Sequence, residues 1–186
     1  MGKMTGIVLA GGKSTRMGKD KAFIRLNDKY LYETAAAKLS EVCSQVYISV
    51  NKKQAETHSF NLPVCIDLFE DQGPVGGLIS AYQQVQPPFL ILAVDMIQVQ
   101  RAHILDLIHH HQSTHDCTLY INAHTGYYEP LFSIWEKQCL DNLAIYFENG
   151  GRSFQHYLKS GHINSIACDT CDFLFNANTP DKLKNL

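Results

Sequence analysis

Each apolar run in the first half of this chain stops abruptly on a glycine, an asparagine or an aspartate. Residues 4–10 run into Gly11-Gly12, 45–50 into Asn51, 63–66 into Asp67 and 89–94 into Asp95. Short runs rich in Val, Ile, Leu and Phe, without polar alternation, suit strands buried on both faces, which is the condition of a parallel sheet. Helical spacing lies between them. Residues 31–42 set Leu31, Ala35, Leu39 and Val42 on one face, and Pro74 is placed to start a helix over 73–85 that Pro87-Pro88 ends. The pattern predicts a parallel α/β sheet covered on both faces. Ligands of such sheets bind beyond the carboxyl ends of the strands, so the four endings are expected to share one cleft.

The first ending continues into a cationic segment carrying Lys13, Arg16, Lys19 and Lys21 with Gly18 among them. Glycines let backbone N–H groups approach an anion and the cations neutralise it, which points to polyphosphate. The segment is not a Walker A loop, because that register needs a glycine at Ile7, and no Gly-x-Gly-x-x-Gly occurs. The competing reading, a plain turn with solvated lysines, leaves four crowded cations repelling one another.

The second half is less regular. Helices are expected over 101–112, 135–147 and 152–158, and strands over 117–121, 127–134, 163–168 and 173–175, with a last short helix capped by residues 176–181. This half is expected to form a lid beside the nucleotide end. A length of 186 residues suits one domain, and a net charge of −2 argues against general nucleic-acid or anionic-membrane binding. Lacking a long apolar run or a cleavable leader pattern, the chain is expected to be cytoplasmic. The scattered Cys43, Cys65, Cys117, Cys139, Cys168 and Cys171 then read as reduced thiols, with the Cys168-x-x-Cys171 spacing structural. Consecutive residues His109, His110 and His111 point in different directions on a helix, so they suit a solvated or dimer-facing patch better than a metal.

Residues 9–21, Leu-Ala-Gly-Gly-Lys-Ser-Thr-Arg-Met-Gly-Lys-Asp-Lys, resemble the signature of the sugar-nucleotide type of nucleotidylyltransferases. Within that group the sequence is most similar to the molybdenum cofactor guanylyltransferases. The resemblance continues in order through Asn51, Asp67, residues 73–77, Val94-Asp95-Met96, Glu129-Pro130-Leu131 and residues 175–180. It implies a single-domain, three-layer α/β/α fold with a mostly parallel, Rossmann-like central sheet. The nucleotide half would be about residues 1–100 and the acceptor half 101–186. The implied reaction moves GMP from GTP to molybdopterin and releases pyrophosphate. By this resemblance Leu9, Ala10, Gly11, Gly12, Lys21, Asn51, Asp67 and Asp95 bind GTP. Arg16, Lys21 and Asp95 are catalytic, Asp95 holds Mg²⁺, and Arg152 and Asn178 face the acceptor, with Glu129-Pro130 shaping the same wall. Implied partners are the two substrates, other cofactor-biosynthesis proteins and the recipient molybdoenzyme, with no nucleic acid or membrane.

Plainer readings stand beside these. Asn51 and Asp67 also suit ordinary turn residues, Arg152 a helix-end arginine in solvent, and Asn178 a helix cap. The chain departs from the family at Ile97-Gln98-Val99, where many members carry a proline after the aspartate, and this puts the loop's shape in question. Rival functions are transfer from CTP or to a sugar phosphate, a non-catalytic nucleotide-binding regulator, and a Zn²⁺-binding protein using the His and Cys residues.

Overall fold

The computed structural model describes residues 4–11, 20–169 and 171–174. In chain order the strands and helices are β1 (Thr5–Leu9), β2 (Arg25–Leu26), β3 (Lys29–Tyr30), α1 (Leu31–Ser40), β4 (Gln45–Val50), α2 (Lys52–Thr57), β5 (Val64–Ile66) and α3 (Gly73–Gln84). They continue with β6 (Phe89–Ala93), α4 (Arg101–His110), β7 (Cys117–Asn122), β8 (Tyr128–Trp135), α5 (Lys137–Glu148), α6 (Phe154–Leu158) and β9 (Ile163–Cys168). Seven strands form one sheet in the order β5-β4-β1-β6-β8-β7-β9, and β2 pairs with β3 in a separate hairpin. Within the seven-stranded sheet only β8 runs against its neighbours. The single, mostly parallel domain expected from the apolar runs is present.

Burial on both faces of the central strands is visible residue by residue. Val8, Leu90 and Leu92 pack with α1 and α4, while Ile7, Phe89 and Ile91 pack with α3, α5 and α6. β1 lies between β4 and β6, so the chain moves outward to β5 and then returns to the far side of β1. That reversal opens a crevice at the carboxyl ends of β1 and β6. In register, Leu9 sits opposite both Ser49 of β4 and Ala93 of β6, which aligns the ends of three strands.

Several expectations change here. The second half does not lie as a lid over the nucleotide end. Its strands extend the same sheet, because β8 pairs with β6 through an apolar ladder from Phe89↔Trp135 to Leu92↔Phe132. The strand expected at 173–175 is a 3₁₀ turn over Asp172–Leu174, with Phe175 outside the described residues. Cys168 and Cys171 form a disulfide, so the reduced reading holds for Cys43, Cys65, Cys117 and Cys139 and fails for this pair. The chain turns back on itself after β9, with a positive φ at Cys171, and this brings the two sulfurs together.

The β2–β3 hairpin and α2 were unforeseen. Asn27 and Asp28 both adopt positive φ, the two-residue turn chemistry that favours a tight hairpin. At the outer edge, the Gln84 carboxamide donates to Ile66 O (2.9 Å) and accepts from Ile66 N (3.2 Å), occupying backbone groups that another strand would take. His109 and His110 are exposed, and His111 bonds Glu136 (3.0 Å) and Thr118 (3.2 Å). No group of three metal-ligating side chains occurs among the described residues.

Leu92 is fully buried in the central strand. Leu92→Ala is expected to lower unfolding free energy by about 2–5 kcal/mol, measured by urea denaturation.

Candidate active site

Two carboxylates, each placed just beyond a strand end, and one lysine on a 3₁₀ turn define the cleft. Asp67 follows β5 and its amide donates to Val50 O (2.8 Å), continuing the parallel ladder for one more residue. Its side chain accepts a hydrogen bond from the buried Ser49 hydroxyl (3.1 Å). Burial pushes the Asp67 carboxyl up to about 6, against the lowering effect of the Ser49 bond. Gly11 makes room for it: a Cβ there would lie 2.6 Å from Asp67 Oδ2. A cavity of about 430 Å³ opens at this point, lined by Leu9, Gly11, Ser49, Asp67, Phe69 and Gly77 among others. Apolar surface from Leu9, Phe69 and Pro74 together with the acceptors of Asp67, Asp71 and Gln72 can take a flat group with N–H donors.

Of the glycine segment, Ala10 and Gly11 are described, and their backbone is engaged with β4. Both Ala10 N and Gly11 N donate to Ser49 O at 2.9 Å, so these two N–H groups are already used within the sheet end. Leu9 and Gly11 contribute wall and space instead. Gly12, Lys13 and Arg16 lie outside the described residues, as does Asn178.

On the other side of β1, Asp95 follows the last residues of the β6 run. Lys21 Nζ reaches its Oδ2 at 3.1 Å, both side chains being mostly buried. Lys21 opens a 3₁₀ turn over Lys21–Phe23 that Asp20 caps by accepting from Ala22 N (3.1 Å). Phe23 anchors this turn by stacking on His58 and meeting Tyr30, Tyr32 and Phe60 edge-on or tilted. The antiparallel β8 adds a residue given only a wall-shaping role in the sequence. Glu129 enters beside Asp95, and its carboxyl is pushed up to about 7 by burial and, to a lesser degree, by the Asp95 charge, while the Leu131 amide opposes the rise. The loop after Asp95, which lacks the family's proline, is held without it. Met96 N donates to Ala93 O, Val99 N to Met96 O, and Lys38 Nζ to Ile97 O at 2.8 Å.

Asn51 proves to be a helix cap that also borders the cleft. It caps α2 by accepting from Gln54 N (2.9 Å) and lines a recess of about 370 Å³ with Lys52, Lys53 and Asp67. Arg152 is not brought to the Lys21–Asp95 pair. Its guanidinium stacks over Phe147 (3.9 Å) and donates to Gln72 Oε1, Phe147 O (2.6 Å) and Gly151 O (2.7 Å). The residue that sequence reasoning missed is Gln54. It is 3% exposed and joins the ends of β1 and β4 to Asp20. Its signal was present: Asn51-x-x-Gln54 has capping-box spacing.

The carboxyl edge of this sheet pairs a lysine with one aspartate and sets another against glycine, and the family whose model matches the chain makes it a nucleotidyltransferase. The family model of the MobA-like NTP transferase domain matches residues 6–163, and the chain belongs to that family. A Nostoc sp. protein named "Probable molybdenum cofactor guanylyltransferase" is 32% identical, covering 98% of this chain and 90% of its own length. A Vibrio vulnificus molybdenum cofactor guanylyltransferase is 30% identical over 95% of this chain and 91% of its own. The crystal structure of molybdopterin-guanine dinucleotide biosynthesis protein A from Archaeoglobus fulgidus superposes with a TM-score of 0.79 at 26% identity, covering 98% and 96% of the two chains.

Because the folded-state pKa of Asp67 lies above the ordinary carboxylate value of about 4, its ionised form costs stability above about pH 6. That cost fades as pH falls toward 4. Asp67→Asn is therefore expected to stabilise the unliganded protein at about pH 7.5 and to make little difference at about pH 4.5, as read by urea denaturation at each pH.

Proposed function

We propose that this protein transfers GMP from GTP to molybdopterin. The observation that carries the reading is the half-buried Asp67 carboxylate, facing a cavity walled in part by glycine and leucine, across β1 from the Lys21–Asp95 pair. Guanine presents adjacent N–H donors on one edge, which a carboxylate can accept, and cytosine and uracil do not share that edge. The family membership and the names of the two relatives support guanine over the CTP alternative.

Phosphoryl chemistry of this type rests on positioning and charge neutralisation. In the proposed reaction an oxygen of the molybdopterin phosphate attacks the α-phosphorus of GTP. A new P–O bond forms, the bond from the α-phosphorus to the bridging oxygen breaks, and pyrophosphate leaves with that electron pair. Asp67 would orient the base, Asn51 would border it, and Lys21 would meet phosphate oxygens carrying the growing charge. Arg16 would assist the same phosphates. Asp95 with Glu129 beside it fits Mg²⁺, a hard cation that takes one or two carboxylates and completes its shell with water and phosphate oxygens. Bound there, Mg²⁺ would neutralise charge on the reacting phosphates. Asn178 is kept on the acceptor side. Arg152 enters the reading only as a residue shaping the groove between α3 and α5, next to the cleft.

Thermal shift with GTP, CTP and ATP in the presence of Mg²⁺ is expected to show stabilisation by GTP alone. Selective stabilisation by CTP would overturn the choice of base. Asp95→Ala should abolish transfer of labelled GMP while the circular-dichroism spectrum stays that of the wild type; retained transfer would remove Asp95 from the chemistry.

A further inference from the structure

Gln54 has no contact with the cavity, yet more of the cleft passes through its carboxamide than through any other buried polar side chain described here. Its Oε1 accepts from Asn51 N at 2.7 Å, at the end of β4. Its Nε2 donates to Ala10 O (3.0 Å), at the end of β1, and to Asp20 Oδ2 (2.6 Å). Asp20 uses its other oxygen to cap the turn that begins with Lys21, and Lys21 reaches Asp95. One planar amide therefore fixes the spacing between two strand ends and the lysine-bearing turn. Both Nε2 hydrogens and the oxygen are used, so no other residue type of that size matches the set of two donors and one acceptor.

We propose that Gln54 is a positioning residue for nucleotidyl transfer, setting the location of Lys21 at the phosphate end through Asp20 and leaving the base end to Asp67. The inference rests on the GTP-dependent reading above. The Asp67 carboxylate takes its position from the Ser49 hydroxyl, whereas the bonds of Gln54 go to Asn51 N, Ala10 O and Asp20. Loss of Gln54 should therefore separate the two ends of the ligand. The phosphate end loses its lysine geometry, and the base end keeps its acceptor.

The test compares GTP with guanosine, which lacks phosphates. Gln54→Leu keeps the volume and removes all three bonds. It is expected to weaken GTP binding about tenfold, the scale of losing one charge-assisted hydrogen bond, with guanosine affinity unchanged. Equal loss for both ligands, or no loss for GTP, overturns the proposal. If Gln54→Leu does not fold, Asp20→Ala breaks the same link from its half-buried end and should give the same split. Gln54→Glu sets a carboxylate against Asp20, and adding Asp20→Asn should recover part of its lost GTP affinity; no recovery overturns the link through Asp20. Wild-type protein titrated alongside with CTP and ATP keeps the two readings apart. A wild type that prefers another nucleotide refutes the guanylyl assignment, and the Gln54 comparison is then run with that nucleotide and its nucleoside.

Discussion

The pairing of β1 with β6 is the constraint on which the site depends. Leu9 lies opposite Ala93, so Gly11 and Asp95 emerge at the same level on either side of the crevice. A slip of one residue along either strand would send Ile7 and Leu9, or Phe89 and Ile91, to the wrong helix layer. The apolar side chains that fix the register are thus the same ones that aim the cleft. Since the strands are buried on both faces, polar chemistry has nowhere to go but their ends.

Much of this was legible in the chain. A strand sheathed on both sides has to be apolar throughout, and the first polar residue after it marks where the sheath ends; Asn51, Asp67 and Asp95 announce themselves that way. The signals that failed were those carried by a partner distant in sequence. Glu129 looked like part of a wall because only an antiparallel β8, which periodicity cannot distinguish from a parallel strand, brings it to Asp95. The expected lid depended on the same ambiguity, since strands 117–122 and 128–135 carry no mark of which sheet they will join. The contacts Arg152 makes, with Phe147 five residues earlier and with Gln72 eighty residues away, carry no mark in the sequence. Gln54 and the Asn27-Asp28 turn had short-range signatures that the cationic segment overshadowed.

Asp67 shows how a binding slot is kept at a cost to the empty fold. A carboxylate enclosed by Leu9, Gly11 and Phe69 holds its proton more tightly than it would in water. In the guanylyl-transfer reading a base donating N–H groups to that carboxylate supplies the solvation the protein withholds. Ligand and proton then compete for one pair of oxygens, and preference for the nucleotide rises as the medium becomes less acid. Gly11 is part of the same arrangement, since a methyl group there would displace the carboxylate it accommodates.

The carboxamide of Gln84 on Ile66 has a consequence for how the molecule behaves in a crowd. β5 is the last strand on its side and only three residues long, and an open strand edge invites a stranger's backbone. By bonding both the N–H and the C=O of Ile66, Gln84 imitates the neighbour that is missing. The sheet ends there because its final rung is already taken, so the half-exposed Ile66 and the exposed Leu68 can sit at this margin without offering a template for intermolecular pairing.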